Sequence, residues 1–158
     1  MRDERYCIGI DPGLGGAVAV LCGRSVEVID TPTFKLKDKR HYDTHAMAEI
    51  LAGYCRQRGT IVAIEHVTAM RGWGISTCFK LGVGYGIWLG ILGALRVFDV
   101  RTVRPQVWKR AMLNETEKDK KAALEVARLT YPNVDLHLQS HDGRADALLI
   151  ARYAQKLL

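Results

Sequence analysis

The stretch YCIGIDPG, residues 6–13, decides the fold, because a short apolar run ends there in an acid and a tight turn. The apolar residues 6–10 predict a buried strand, and the proline and glycine after the acid predict a turn. Asp11 therefore stands at the mouth of a buried strand. A carboxylate in that position is costly unless positive charge lies beside it.

Three further acids occur in comparable settings. The apolar run IVAIE, residues 61–65, predicts a second strand that ends at Glu65. Asp142 and Asp146 begin an apolar helical pattern near the C-terminus, and their spacing of four puts both on one helix face. Four carboxylates that converge would offer the hard oxygen ligands that Mg²⁺ requires.

Each acid also has a simpler structural explanation. Asp11 and Glu65 could be solvated loop residues, and Asp142 could be a helix cap. Asp146 is harder to explain in this way, because the apolar residues 147–151 that follow it should be buried. We therefore favour a metal site in which Asp11 bridges two Mg²⁺ ions, Glu65 holds one ion, and the helical pair closes the site. Such a site can clamp the attacking and leaving oxygens of a phosphoryl displacement.

Length and charge are compatible with an enzyme that acts on a polyanion. The 158 residues predict a single domain, residues 1–158, and a soluble globular protein. The net charge of +6 favours a polyanionic partner without identifying one. Together with the acids, it points to metal-dependent phosphodiester chemistry on a nucleic acid.

The sequence predicts a cytoplasmic protein that has no membrane partner. The first strand begins by about residue 6, which leaves no room for a targeting segment. The apolar residues 81–97 are interrupted by five glycines and predict a tightly packed helix, not a membrane span. Four cysteines without zinc-site spacing predict reduced thiols: Cys7, Cys22, Cys55 and Cys78.

The remaining pattern predicts an α/β fold with a five-stranded mixed sheet and helices on both faces. The predicted strands are residues 6–10, 17–21, 26–29, 61–65 and 97–103. The predicted helices are residues 43–54, 76–95, 105–112, 116–129 and 142–157. The polar and basic residues 31–42 predict an exposed loop.

With these residues in place, the chain resembles the RuvC-type Holliday junction resolvases of the ribonuclease H-like superfamily. The resemblance covers nearly the whole chain and rests on IGIDPG at 8–13, IE at 64–65, KLG at 80–82 and RADAL at 144–148. It is closer to the phage and plant-chloroplast branch, on the strength of GVGYGIW at 82–88, PQVWK at 105–109, DK at 119–120 and HDGRA at 141–145.

The resemblance implies a ribonuclease H-like fold and a homodimer that nicks two opposed strands of four-way junction DNA symmetrically. It implies two Mg²⁺ ions per active site, with Mn²⁺ as a substitute, and products with 5′-phosphate and 3′-hydroxyl ends. Asp11, Glu65 and Asp146 carry over as metal ligands. The bacterial pattern has two aspartates three residues apart, whereas this chain has Gly143 and offers Asp142 instead. The missing transit sequence favours a bacterial cell or a phage-infected host.

Basic residues complete the predicted site. Lys109 and Lys120 fall where the family places cations near the scissile phosphate, and Lys120 would stabilise transition-state charge. Lys118 and Lys121 flank Lys120, so which of the three faces the site stays open; all could be solvated surface lysines. The predicted DNA-binding residues are Arg71, Trp73, Lys80, Lys109, Lys118, Lys121 and Arg144.

The aromatic residues divide into DNA-stacking and packing candidates. Trp73 or Arg71 could stack on an unpaired base at the junction centre, although Trp73 could also simply pack. We interpret His66 as structural, since Mg²⁺ prefers oxygen ligands, and Trp108 as a core residue. Glycines at every fourth position leave a flat helix stripe that suits a dimer seam: Gly82, Gly86 and Gly90.

Three alternative functions stay open at this point. A ribonuclease H-like enzyme for RNA–DNA hybrids or other branched DNA would use the same metal chemistry and could act as a monomer. A sugar-kinase or actin-like ATPase also opens with a strand and an Asp-x-Gly turn, but it needs two such domains. A non-catalytic junction-binding protein would have no reason to aim four carboxylates at phosphates.

Overall fold

The computed structural model describes residues 5–56, 59–113 and 120–158. The strands are β1 Cys7–Ile10, β2 Ala17–Cys22, β3 Ser25–Asp30, β4 Thr33–Leu36, β5 Lys39–Tyr42, β6 Ile61–Glu65 and β7 Asp99–Val103. The α-helices are α1 Thr44–Cys55, α2 Ile75–Ala94, α3 Pro105–Met112, α4 Lys120–Thr130 and α5 Asp142–Lys156. A 3₁₀ turn, Gln139–His141, leads directly into α5.

Five strands form the central sheet in the order β3-β2-β1-β6-β7. β1 pairs antiparallel with β2 and parallel with β6, and β6 pairs parallel with β7. The predicted five-stranded mixed sheet is confirmed. Because β1 and β6 are adjacent and parallel, their carboxyl ends meet at the same edge of the sheet.

Two apolar clusters cover the two faces of this sheet. Ile8 and Ile10 pack with residues of α1 and α2 on one face. Cys7, together with Ile61 and Ala63, packs with residues of α3, α4 and α5 on the other. Since side chains alternate along a strand, Glu65 belongs to the face of α5. The predicted arrangement, helices on both faces, is confirmed.

Helix α5 lies directly on β1. Eight of its residues are buried, more than in α1, α2 or α3. A Cβ at Gly9 would come within 2.2 Å of both the Ala147 carbonyl oxygen and the Ala151 backbone nitrogen. A glycine is therefore required at the centre of β1 for the helix backbone to approach this closely.

Residues 31–42 depart from the predicted loop. They contain a second, two-stranded sheet in which β4 and β5 pair antiparallel. The turn between them is made by Lys37 and Asp38, whose φ angles are 47° and 61°. Positive φ at both central positions suits the right-handed twist of a hairpin. The loop prediction was wrong because the strands are largely exposed and the turn contains no glycine.

The helix boundaries follow the predictions closely where the structure describes them. Asp43 caps α1 by accepting a hydrogen bond from the Ala46 backbone nitrogen at 3.1 Å, and Pro105 begins α3. The predicted helix 116–129 is observed from Lys120 to Thr130, while residues 114–119 lie outside the described part of the chain.

Helix α2 is long and apolar but only partly buried. Only Gly84, Trp88 and Leu92 are buried within it. A window of α2 has a mean hydropathy of 1.4, so by length and composition alone it could cross a membrane. The buried residues pack with α1 and the sheet. This packing favours our prediction that α2 is a packed helix and not a membrane span, which stays a prediction.

Candidate active site

Two of the predicted acids lie at the carboxyl ends of the two central parallel strands. The register pairs Ile10 with Ile64, which sets Asp11 beside Glu65. Strand pairing continues past β1, because the Asp11 backbone nitrogen donates to the Ala17 carbonyl at 3.0 Å. The Asp11 carboxylate accepts a longer hydrogen bond, 3.4 Å, from the Gly13 backbone nitrogen. Both carboxylates are partly buried.

The other two acids are carried by the first turns of α5. Asp142 is the first residue of the helix, and its Oδ1 accepts from the Gly143 backbone nitrogen at 3.0 Å. A Cβ at Gly143 would lie 2.1 Å from the Gly15 carbonyl oxygen. The helix is therefore seated on the backbone of the loop that follows Asp11.

Electrostatics show that the four acids share one site. Burial, followed by the charge of Asp11, raises the pKa of Asp146 to about 8. Within that shift the charge of Lys109 acts to lower the pKa, and the charges of Glu65 and Asp142 act to raise it. Each of these groups must lie near Asp146 to act on it. The structure thus brings together Asp11, Glu65, Asp142 and Asp146, which the sequence had placed on three separate elements.

This donor set fits a divalent cation of the Mg²⁺ type. All four ligand candidates are carboxylates, which are the hard oxygen ligands that Mg²⁺ and Mn²⁺ accept. Burial, together with repulsion from the neighbouring carboxylates, disfavours the charged form of Asp146 more than the nearby lysine favours it. A bound cation would relieve that repulsion.

Trp108 is a site residue that sequence reasoning assigned to the core alone. Its side chain is fully buried, and its indole Nε1 donates to Glu65 Oε2 at 2.7 Å. Trp108 lies on α3, the helix that begins at Pro105. The only sequence signal was its place directly before Lys109.

Among the predicted basic residues whose side chains the structure describes, Lys109 is the one whose charge acts on Asp146. Its Nζ lies 5.3 Å from the centre of the Trp108 ring, and its charge lowers the pKa of Asp146. Lys121 is exposed in the first turn of α4. Lys118 and the side chain of Lys120 lie outside the part of the chain that is described.

The loop after β6 lies beside the site, as its sequence predicted. A small cleft of about 80 Å³ is lined by Asp11 and Glu65 together with His66, Met70, Trp73 and neighbouring residues. Trp73 keeps 43% of its surface exposed. Arg71 is exposed and does not line this cleft. The His66 ring packs edge-on against Tyr85 at 5.8 Å, which agrees with a structural role.

Tyr42 ties the missed hairpin to the site. Its hydroxyl donates to the carbonyl of Lys80 at 3.1 Å and faces the carbonyl of Pro12 at 3.4 Å. Burial, together with the Asp11 charge, raises the pKa of Tyr42 to about 12. A Cβ at Gly84 would meet the same hydroxyl at 2.3 Å, so this glycine admits the contact. The Lys80 residue itself is exposed.

Arg144 is engaged with two acids outside the predicted ligand set. It forms a two-pronged ion pair with Asp30, at 2.7 and 2.8 Å, which holds the pKa of Asp30 below its usual range. It also donates to the carbonyl and the carboxylate of Asp135, at 3.1 and 3.3 Å. Arg144 thus ties α5 to the end of β3.

A second group of possible metal donors lies before α5, apart from the four acids. It comprises Asp135, His137 and His141, whose donor atoms lie within 4.8 Å of one another. One oxygen of Asp135 contacts His137 Nδ1, and the other accepts from Arg144. Because the Arg144 guanidinium already supplies positive charge there, we interpret this group as an ion-pair network.

Comparison with known proteins shows the fold. No protein-family model matches the chain, and no curated protein matches it significantly in sequence. Among solved structures it is similar to RuvC of T. thermophilus in complex with a Holliday junction substrate, with 21% identity and a TM-score of 0.62 over 93% of this chain and 90% of that one. A second Thermus thermophilus RuvC structure gives 21% identity and a TM-score of 0.57, over 94% and 95%. The chain therefore has the ribonuclease H-like fold of RuvC.

Proposed function

We propose that this protein is a Mg²⁺-dependent endonuclease that resolves four-way DNA junctions. The observation that carries the proposal is the convergence of four carboxylates at the edge where β1 and β6 end, within the fold of RuvC. One of those similar structures is of RuvC with a Holliday junction substrate. The net charge of +6 suits a DNA partner.

The four acids would hold the cations, and Lys109 would face the scissile phosphate. Two Mg²⁺ ions, when bound, supply activation of the attacking water and neutralisation of charge on the phosphate. Asp11, Glu65, Asp142 and Asp146 would hold these ions. Lys109 adds a fixed positive charge beside the acids, where charge develops in the transition state. We propose that Lys120 also stabilises the negative charge of the transition state.

DNA contacts would come from the exposed basic and aromatic side chains around the cleft. Trp73 lines the cleft and is partly exposed, so it can stack on an unpaired base. Arg71, Lys80 and Lys121 are exposed and contact phosphates in this proposal, as Lys118 does. Arg144, already paired with two acids, would contribute mainly by holding α5.

We also propose a homodimer formed through α2. Ile75 and Phe79 are 90% and 72% exposed, and Gly82, Gly86 and Gly90 have open space where a Cβ would stand. Such an apolar stripe with small residues allows a second helix to approach closely. A two-fold dimer would supply the two active sites that symmetric nicking requires.

The finer assignments rest on the sequence motifs. HDGRA at residues 141–145 and PQVWK at residues 105–109 favour the phage and chloroplast branch of these resolvases. We place the protein in the cytoplasm of a bacterial or phage-infected cell.

The test is cleavage of a labelled synthetic four-way junction in Mg²⁺, beside linear duplex, a Y-fork and an RNA–DNA hybrid. We expect paired symmetric nicks on the junction alone and no cleavage in EDTA. Asp11→Asn should abolish cleavage and retain junction binding. Asp99→Asn, at the amino end of β7 and therefore at the opposite edge of the sheet from Asp11 and Glu65, is the matched control and should still cut.

Other outcomes would redirect the proposal. Cleavage of the hybrid or the fork would keep the metal site but replace the substrate. Tight junction binding without any cleavage would favour a non-catalytic binding protein and would overturn the ligand assignment.

A further inference from the structure

The buried hydrogen bond between Trp108 and Glu65 joins a core residue to the candidate metal site. We propose that Trp108 is a positioning residue: its indole N–H holds one oxygen of Glu65, so that the carboxylate is fixed in orientation for a divalent cation. This inference rests on the proposed function, because it assigns Glu65 as a metal ligand.

The geometry supports a positioning role and not packing alone. The N–H···O distance of 2.7 Å is short for an N–H donor and is typical of a bond to a charged acceptor. Trp108 is fully buried among residues of α4 and α5, so its ring cannot turn away. A buried indole N–H usually finds an acceptor, and the acceptor of Trp108 is a candidate ligand.

The same hydrogen bond sets what Glu65 can offer. A carboxylate has two oxygens with several lone pairs, and Oε2 already accepts from the indole. The hydrogen bond therefore limits the orientations of the carboxylate before any cation arrives. Partners of this kind typically change metal affinity when they are removed.

A second tryptophan provides a matched control. Trp88 is also fully buried, in the cluster on the opposite face of the sheet. Its Nε1 has no hydrogen-bond partner within the described residues. Trp88→Phe and Trp108→Phe therefore remove the same atoms from equally buried sites, and only the second removes a bond to Glu65.

The first experiment measures Mn²⁺ binding to both variants and to the wild type by electron paramagnetic resonance. We expect Trp108→Phe to weaken Mn²⁺ binding about ten-fold and Trp88→Phe to change it less than about two-fold. Thermal unfolding checks that both variants fold. Equal affinities in the two variants would overturn the inference, as would the absence of any Mn²⁺ binding to the wild type.

The second experiment does not need a folded Trp108 variant. The chain has three tryptophans, so a ¹⁵N–¹H correlation spectrum should contain three indole N–H peaks. We expect Glu65→Gln and added Mg²⁺ each to move the Trp108 peak and to leave the Trp88 peak in place. A Trp108 peak that does not respond to Glu65→Gln would contradict the hydrogen bond.

Failure of this inference is distinguishable from failure of the proposed function. Neither readout needs DNA or cleavage. If the chain binds Mn²⁺ through a Trp108-dependent site but cuts no junction, the proposed junction substrate is wrong and the positioning role of Trp108 is supported. If Trp108→Phe cuts junctions normally and with unchanged Mg²⁺ dependence, the proposed function is supported and the positioning role of Trp108 is wrong.

Discussion

Helix α2 is more apolar than helix α5, yet α5 is the helix that is more deeply buried. α5, Asp142–Lys156, has eight buried residues and lies against the backbone of β1. α2, Ile75–Ala94, is five residues longer and buries only three. Hydrophobic composition therefore does not report which helix forms the core.

The difference lies in what the glycines do. At Gly9 and Gly143 a Cβ would collide with the backbone of a neighbouring segment, so these glycines permit close packing inside the protomer. At Gly82, Gly86 and Gly90 a Cβ would meet nothing. These three glycines thus face open space within the described chain, which agrees with the dimer seam that we propose.

The largest expected effect is at the contact between α5 and β1. Gly9→Ala would place a Cβ 2.2 Å from two backbone atoms of α5 that cannot move aside separately. We expect it to lower the free energy of unfolding by about 3 kcal/mol or more, measured by chemical denaturation. Gly53→Ala on α1, where a Cβ meets nothing, is the control and should be neutral or slightly stabilising. A small loss at Gly9 would mean that α5 can shift on the sheet.

An intermediate effect on stability should come from the titration of Asp146 on α5. The pKa of Asp146 rises from 3.8 to about 8 in the folded chain, so the folded state binds a proton that the unfolded state releases. The contribution of Asp146 to the stability of the metal-free protein should therefore be complete below about pH 4 and should be lost as the pH rises to about 8. Thermal unfolding in EDTA across this range measures it.

Two variants isolate the contribution of Asp146 to this pH profile. Asp146→Asn should flatten the decline, whereas Glu49→Gln, on an exposed turn of α1, should leave it unchanged. Mg²⁺ at pH 8 should stabilise the wild type more than Asp146→Asn. An equally steep decline in Asp146→Asn would show that other groups cause it.

The smallest effect on the protomer should come from α2. Gly86→Leu adds a side chain into open space, so we expect the free energy of unfolding of the protomer to change by less than about 1 kcal/mol. The same side chain should obstruct the proposed seam and raise the dimer dissociation constant at least about ten-fold, measured by analytical ultracentrifugation. Gly53→Leu is the control for the substitution itself. A Gly86→Leu dimer of wild-type affinity would place the seam elsewhere.

The sheet and its main helices could be predicted because their signals are local. The runs CIGI and IVAIE are apolar, short and bounded by turn residues, and the acids at their ends are visible in the sequence itself. Strand adjacency then brings Asp11 and Glu65 together without further information. The hairpin β4–β5 could not be predicted, because Lys37 and Asp38 adopt positive φ angles that the sequence does not signal.

The partners of the site residues could not be predicted, because they come from distant parts of the chain. Trp108 and Glu65 are 43 residues apart, and Arg144 and Asp30 are 114 apart. A tryptophan in an amphipathic helix indicates burial, but its N–H partner depends on how α3 docks on the sheet. Likewise, the sequence predicts that Arg144 binds DNA, whereas the structure pairs it with Asp30 at the end of β3.

The seating of α5 has a consequence for how the acidic cluster is assembled. The close approach of backbones at Gly9 and Gly143 fixes where α5 lies relative to Asp11. The four acids are therefore brought together when the chain folds. The proposed metal ligands are thus preorganised in the folded protein, so that binding a cation does not require α5 to move.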